Sequence, residues 1–527
     1  MFVILTNLLP VWLFRYFPSQ DGPSHVYNSW IIANWDRPEG AIYRHYYELN
    51  TRPEPNWLSH AALAGLMRAG VPPLVAEKIF ITLFIALLAG GMWHAIGAVA
   101  PEARLLAALA LPVAVGWPLG MGFYNYCLGL AGFLWVFGWW YRRRGDMRPA
   151  RIAILAAMGV ALYFTHMVAI GGVIAAIGTV ALCEALAERP AGPALKRLLF
   201  PVVLAFVPAV ALALAFVAGS AGQGRMPLWL LGSWRLAPFL TLQSLLVCYS
   251  SAEMIPSTIM ALALVAAVVL ILLERKKSAG VPPSGGILDT KKDGLLAAAL
   301  VFVFLYFTAP HEASGGTYVF RRLAPFVVFM LVLWFAANSD RRLIVRPLAA
   351  LGVAIALVFA VMRLAQISRL NDYIAEYVSV GESIEAPATV LPLCLSPRGT
   401  DEDGFFLSLE IWPFSHASGY MAAGRPIVDL SDYEGAMGYF PLLWRPGLNP
   451  FTRIEGEIFD DPFHLVFSGY ERNTSGMGRI DYVLVWSDPR HPPPPRLTDP
   501  IARQLAAGYT PVATSKPRGY ATLWARR

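Results

Sequence analysis

Apolar runs long enough to cross a lipid bilayer recur along the chain, and they constrain its fold more than any other feature. With 56% of the residues hydrophobic and 15% charged, the composition is typical of a membrane protein. A spanning helix needs about 20 mainly apolar residues, so the sequence predicts a mainly α-helical polytopic protein with about eleven transmembrane helices. The runs lie at residues 1–16, 74–99, 104–118, 123–141, 151–165, 167–187, 198–218, 257–273, 294–309, 322–337 and 347–366.

Clusters of Lys and Arg predict the orientation of these helices. Cytoplasmic loops of membrane proteins are enriched in Lys and Arg, and with eleven spans every cluster falls on the same side. The clusters lie at residues 142–144, 196–197, 275–277 and 341–342. We expect a multi-pass protein of a bacterial inner (plasma) membrane with a cytoplasmic N-terminus. The formal net charge of +7 then reflects these loops, and no nucleic acid is expected as a partner.

The distribution of apolar residues predicts two domains. Residues 1–368 contain all the long apolar runs and form a transmembrane domain with a long first outer loop at 17–73. Tryptophans in that loop predict helices lying on the membrane surface. Residues 369–527 are proline-rich and contain short β-like runs around a helical segment. They predict a soluble α/β domain on the extracytoplasmic, periplasmic side.

Two ionisable side chains follow the first apolar run in the segment QDGPSH. Asp21 is a candidate catalytic base, and it is also a candidate ligand for a divalent cation, Mg²⁺ or Mn²⁺. The simpler alternative is that its carboxylate caps the helix that follows. His25 is a candidate for binding phosphate or orienting Asp21, or else a polar anchor at the interface.

A second ionisable cluster precedes the tenth apolar run. His311 and Glu312 come first, and Arg321 and Arg322 follow after a flexible segment. Paired arginines on the outer side run against the usual charge bias of membrane proteins. Guanidinium groups bind phosphate oxygens through two hydrogen bonds at once, so these residues are candidates for holding a lipid-linked phosphate. The alternative is that the arginines extend to lipid headgroups.

Three further outer residues are candidates for binding a donor sugar or its phosphate. Tyr124 and Asn125 follow a glycine-rich turn, where they could line a polar site or anchor the chain at the interface. His166 lies between the fifth and sixth runs, where a histidine requires a partner or water. In the C-terminal domain we interpret four polar residues as ordinary loop residues. They are His416, Tyr420, Arg425 and Asp429.

The arrangement resembles the GT-C superfamily of membrane glycosyltransferases, which includes protein O-mannosyltransferases and aminoarabinose transferases. The similarity consists of many spans, a long first outer loop, an acid directly after the first span (Asp21 in QDGPSH) and a C-terminal outer domain. It implies transfer of a sugar from a polyprenyl-phosphate donor in the membrane to a glycan, lipid or protein acceptor. By this resemblance Asp21 is the base or metal-associated acid, and Arg321 or Arg322 holds the donor phosphate.

The sequence departs from that family pattern in its acids, and it leaves other functions open. A single aspartate replaces the usual acidic pair, and the second outer turn contains no carboxylate. A transporter or flippase for a lipid or polar solute would carry charges near mid-membrane, where these runs have almost none. A non-catalytic assembly factor would use the C-terminal domain as a binding module. Motifs for ATP, nicotinamide or zinc are absent from the sequence.

Overall fold

Most of the chain before residue 384 is helical, as its apolar runs predict. The structure is a computed structural model that describes residues 2–188, 190–219, 233–278, 290–338, 341–459 and 462–527. One short strand, β1 (Tyr47–Leu49), lies among the helices of this part. The helices are α1 (Phe2–Leu13), α2 (Gly22–Ala33), α3 (Ala41–Tyr46), α4 (Leu58–Arg68), α5 (Pro73–Val99), α6 (Ala110–Ala114), α7 (Trp117–Gly120), α8 (Tyr124–Arg143), α9 (Pro149–Thr165), α10 (Met167–Ala187), α11 (Ala191–Gly219), α12 (Leu236–Leu240), α13 (Gln243–Leu246), α14 (Met254–Ser278), α15 (Thr290–Thr308), α16 (Ala324–Asn338) and α17 (Arg346–Ser379).

The described chain contains seven helical stretches that are long and apolar enough to cross a bilayer. They confirm the prediction of a helical membrane protein, but the predicted number of eleven spans is not reached. The stretches are Pro73–Val99, Pro101–Gly120, Met167–Ala187, Ala191–Gly219, Ser251–Arg275, Arg321–Asn338 and Leu343–Ser383.

The other four predicted runs form helices that are shorter or more polar than a typical span. α1 and α9 contain 12 and 17 residues, fewer than the about 20 that span the hydrocarbon core. α8 begins with the polar residues 124–126 and ends in two arginines. α15 carries the charged residues 291–293 in its first turn. Their apolar portions alone therefore fall short of a bilayer-crossing length.

The C-terminal region contains a mixed sheet and short helices. Its strands are β2 (Ala388–Cys394), β3 (Ile427–Asp429), β4 (Leu442–Trp444), β5 (Tyr482–Trp486), β6 (Tyr509–Thr514) and β7 (Ala521–Arg526). Its helices are α18 (Ser418–Ala422), α19 (Pro450–Arg453), α20 (Tyr470–Asn473) and α21 (Pro495–Gly508). Five strands form one sheet in the order β3-β2-β5-β7-β6. β2 is parallel to β3 and β5, whereas β7 is antiparallel to β5 and β6.

α17 is the last long apolar helix before this sheet. It contains 34 residues, which at 1.5 Å per residue gives a length of about 51 Å. The hydrocarbon core of a bilayer is only about 30 Å thick. α17 is therefore longer than crossing this core requires, and the predicted domain boundary after residue 368 lies inside this helix.

The first outer loop and the C-terminal region pack directly against each other. β1 pairs antiparallel with β4, and Tyr47 lies opposite Trp444 with the two rings stacked at 4.1 Å between centroids. α2 is buried over most of its length. The prediction that it lies on the membrane surface is wrong, because the C-terminal region covers it.

Replacing Trp444 by Ala tests this packing. The substitution removes a buried ring from the contact between the two regions and should destabilise the protein by about 3–5 kcal/mol, the usual cost of a Trp-to-Ala cavity. Thermal melting in detergent measures the loss, and limited proteolysis should show faster cleavage near residues 47–57. Phe405→Ala is the control, since Phe405 is 70% exposed. Equal melting temperatures for both variants would contradict the packing role.

Candidate active site

Asp21 is placed by a backbone contact between the first outer loop and the turn before α8. The backbone N–H of Asp21 donates to the carbonyl oxygen of Met121 at 3.0 Å. Gly122 allows this approach, because its φ is +76° and a Cβ atom there would overlap the backbone nitrogen of Gly22. Asp21 occupies the N-cap position of α2, but its side chain makes no capping hydrogen bond. Its carboxylate is therefore available for another role.

The environment of Asp21 makes it a stronger base than an ordinary aspartate. Burial raises the pKa of Asp21 to about 6, and the nearby charges of His25 and Arg322 oppose that rise. The Nε2 atom of His416 lies 3.8 Å from Oδ1 of Asp21. A carboxylate with this pKa is mainly ionised at neutral pH and accepts a proton more readily than one in water.

A cavity of about 300 Å³ opens beside Asp21. It lies where the start of α8, the start of α10, the end of α11 and the segment before α16 meet the C-terminal region. The structure brings together five of the nine predicted site residues on its wall. They are Asp21, His25, Asn125, His166 and Arg322.

Arg322 supplies the positive charge of the cavity. Its Nη1 atom lies 2.7 Å from Nε2 of His166, so His166 has the partner that its position requires. The guanidinium packs over the ring of Phe123, and its buried Nε atom has no hydrogen-bond partner among the described groups. In the described part of the chain no carboxylate lies within ion-pair distance of Arg322. A partly buried cation of this kind favours an anionic ligand.

Arg321 and the pair His311 and Glu312 do not line the cavity. Arg321 pairs with Glu410 at 2.9 Å and packs over the ring of Trp117. His311 lies 3.8 Å from Glu312, and both side chains are partly exposed. Of the two adjacent arginines that the sequence could not distinguish, only Arg322 therefore faces the site.

Tyr124 also lies behind the cavity instead of on its wall. Its hydroxyl donates to Glu77 at 2.5 Å, and the hydroxyl of Tyr420 lies 2.8 Å from the same carboxylate oxygen. This group packs against Gly22, where an added Cβ atom would overlap the hydroxyl of Tyr124. Tyr124, Tyr420 and Glu77 thus support the turn that carries Asp21. Tyr124, which the sequence suggests as a donor-binding residue, is not among the residues that line the cavity.

Sequence reasoning missed a buried cluster beside Asp21. His25 Nδ1 lies 2.8 Å from Oε1 of Glu434, and His60 Nε2 lies 2.7 Å from Oε2. Among the described residues this is the one group of three side chains that could hold a metal ion, and Asp21 is outside it. The signal in the sequence was the acidic segment DLSDYE between apolar residues.

Asn125 connects this cluster to the cavity wall. Its side-chain oxygen accepts the backbone N–H of Ser59 at 2.9 Å, and its amide donates to the carbonyl oxygen of Asn56 at 2.9 Å. Asn125 therefore fixes the first turn of α4, which carries His60. The predicted polar role of Asn125 is a positioning role in this arrangement.

Comparison with known proteins adds no family to these observations. No protein-family model matches the sequence, and no curated protein matches it.

Paired glycine substitutions test how Asp21 is positioned. Gly122→Ala should lower the free energy of unfolding by clearly more than the roughly 1–2 kcal/mol that the left-handed backbone conformation costs an alanine. The added methyl group also collides with the backbone of Gly22. Gly424→Ala is the matched control, since Gly424 has a φ of +94° and open space around its Cβ position. Thermal melting of both variants compares the two costs. Equal losses of stability would show that the contact with Gly22 is not tight.

Proposed function

We propose that the chain is a membrane glycosyltransferase that transfers a sugar from a polyprenyl-phosphate donor to an acceptor outside the cytoplasm. The observation that carries this proposal is the shared cavity of Asp21 and Arg322. A carboxylate and a cation without a carboxylate partner line the same space, and transfer from a phosphate-linked sugar uses a base and a positive charge in this way. The acceptor is a hydroxyl group of a glycan, lipid or protein.

Arg322 is the proposed binding group for the donor phosphate. Its guanidinium lies on the cavity wall without a carboxylate partner among the described residues, and its Nε atom has an unused hydrogen bond. A phosphate oxygen would satisfy that donor and offset the charge. His166, 2.7 Å away, holds the guanidinium towards the cavity.

The apolar part of the cavity supports a lipid-linked donor. Met167 and Val168 begin α10, and Phe216 and Val217 lie near the end of α11; all four line the cavity. These helices coincide with two of the candidate spans. An isoprenoid chain could therefore lie against apolar side chains that continue into the bilayer, while its phosphate reaches Arg322.

In the proposed reaction Asp21 accepts the proton of the acceptor hydroxyl. The hydroxyl oxygen forms a bond to the anomeric carbon while the bond from that carbon to the phosphate oxygen breaks. Polyprenyl phosphate leaves with the bonding electrons, and Arg322 stabilises its negative charge. The proton remains on Asp21 until water removes it.

Asp21→Asn tests the base. The amide keeps the shape of the side chain but cannot accept the proton, so transfer from a polyprenyl-phosphate sugar in membranes should fall by about 10²–10⁴-fold. Asp36→Asn is the matched control, because Asp36 is an exposed aspartate in the same loop. Transfer by Asp21→Asn at the level of the parent protein would remove Asp21 from the base role.

A pair of arginine substitutions tests the phosphate site. Arg322→Ala should lower transfer by about 10²–10³-fold, as loss of a charge-stabilising donor does in other enzymes. Arg321→Ala removes the same charge one residue earlier, outside the cavity, and should lower transfer much less. A transfer assay at several donor concentrations measures both variants. A larger loss for Arg321→Ala would contradict the assignment of Arg322.

A further inference from the structure

The buried cluster of His25, His60 and Glu434 brings two imidazole nitrogens and both oxygens of one carboxylate together. All three side chains are at least nine-tenths buried. His25 Nδ1 lies 3.3 Å from His60 Nε2, so two ring nitrogens and two carboxylate oxygens converge on one point. Three separate elements supply them: α2, α4 and the segment after β3.

His60 makes a hydrogen bond on the side of its ring that points away from the cluster. This bond shows which ring nitrogen carries a proton. His60 Nδ1 lies 3.2 Å from the carbonyl oxygen of Asn56. A carbonyl oxygen accepts only, so Nδ1 carries a proton. Nε2 faces Oε2 of Glu434 at 2.7 Å, and this approach requires a positive centre, a proton or a metal ion, between the two atoms.

The second oxygen of Glu434 points to the same conclusion. Oε1 is buried and lies 2.8 Å from Nδ1 of His25, so each oxygen of Glu434 faces one ring nitrogen. The two ring nitrogens are only 3.3 Å apart. Protons on both nitrogens would bring two N–H dipoles of the same sign together, which electrostatic repulsion disfavours. One cation among the three side chains satisfies all the converging lone pairs.

We propose that His25, His60 and Glu434 bind a divalent transition-metal ion of the Zn²⁺ type. Two imidazoles and one carboxylate are a donor set that zinc uses in sites with an open fourth position, whereas Mg²⁺ prefers oxygen ligands alone. The 3.3 Å between the two ring nitrogens fits two corners of a tetrahedron with bonds of about 2.0–2.1 Å. The far hydrogen bond of His60 is the usual support for a metal-bound histidine.

The ion would lie in the wall of the cavity already described. His25 lines the cavity beside Asp21, while His60 and Glu434 lie behind it. An open coordination position could then be reached by a hydroxyl or phosphate oxygen in the cavity. The metal site does not rest on the proposed sugar transfer, because any chemistry in this cavity could use the ion.

Metal content measures the proposal without an activity assay. The full-length protein is purified in detergent, treated with EDTA, incubated with Zn²⁺ or Co²⁺ alone and passed through gel filtration. We expect one ion per chain, and for Co²⁺ a visible absorption band of a low-coordinate site. Glu434→Gln and His60→Gln should each weaken binding by more than the roughly 10–100-fold seen for loss of a supporting residue.

Two control variants separate this site from surface binding. Glu410→Gln and His45→Gln remove a carboxylate and a histidine outside the cluster and should bind one ion as the parent does. Binding by Glu434→Gln and His60→Gln at the parent level would overturn the proposal. If these variants do not elute as folded protein, the measurement on the parent protein tests the proposal. A parent protein that takes up no metal and shows no Co²⁺ band would also overturn the proposal. Asp21→Asn should bind the ion as the parent does. Loss of sugar transfer in that variant can therefore be distinguished from loss of the metal ion.

Discussion

The structure of the site depends on the contact between the first outer loop and the C-terminal region. The hydroxyl of Tyr27 in α2 donates to the carbonyl oxygen of Ile427 and accepts from the backbone N–H of Asp429, both at 3.0 Å. Gly419 packs so closely on Pro23 that an added Cβ atom would overlap the carbonyl oxygen of Pro23. These contacts join segments about 400 residues apart. They place Glu434 beside His25. They also cover Asp21, and this burial raises the pKa of the Asp21 carboxyl.

This contact buries several ionisable groups, among them Asp21, His25 and Glu434. Asp432 is buried there too, and burial raises the pKa of its carboxyl well above the usual range. Buried charges cost free energy unless they are paired, and apolar replacements of similar volume are often at least as stable. Such groups concentrated around a cavity are therefore better explained by a ligand than by folding. The unpaired Nε of Arg322 suggests an anionic ligand, and the convergence of His25 and His60 on Glu434 suggests a metal ion.

The sequence predicted the helices well because apolar runs of sufficient length leave few alternatives in a bilayer. It could also place Asp21, His25, Asn125, His166 and Arg322 near one site, since each lies at or near the end of a predicted apolar run. It could not separate Arg321 from Arg322, because neighbouring residues point about 120° apart in the 3-10 turn that contains them and only packing decides which one faces inward. The link from His60 to Glu434 spans 374 residues, and no local pattern encodes it. The number of spans was overestimated because four of the apolar runs form helices that are short or carry polar and charged ends.

Carboxylates from distant parts of the chain gather around Asp21. The first loop contributes Asp21 itself, and two more carboxylates lie close to it. Glu77 supports the turn through Tyr124 and Tyr420, and Glu434 arrives from the C-terminal region between two histidines. Because Glu434 comes from that region, a metal ion bound there would tie the C-terminal region to the first loop as well as act in the cavity. Closure of the site and metal binding would then stabilise each other, since an ion that binds only the folded arrangement shifts the equilibrium towards it.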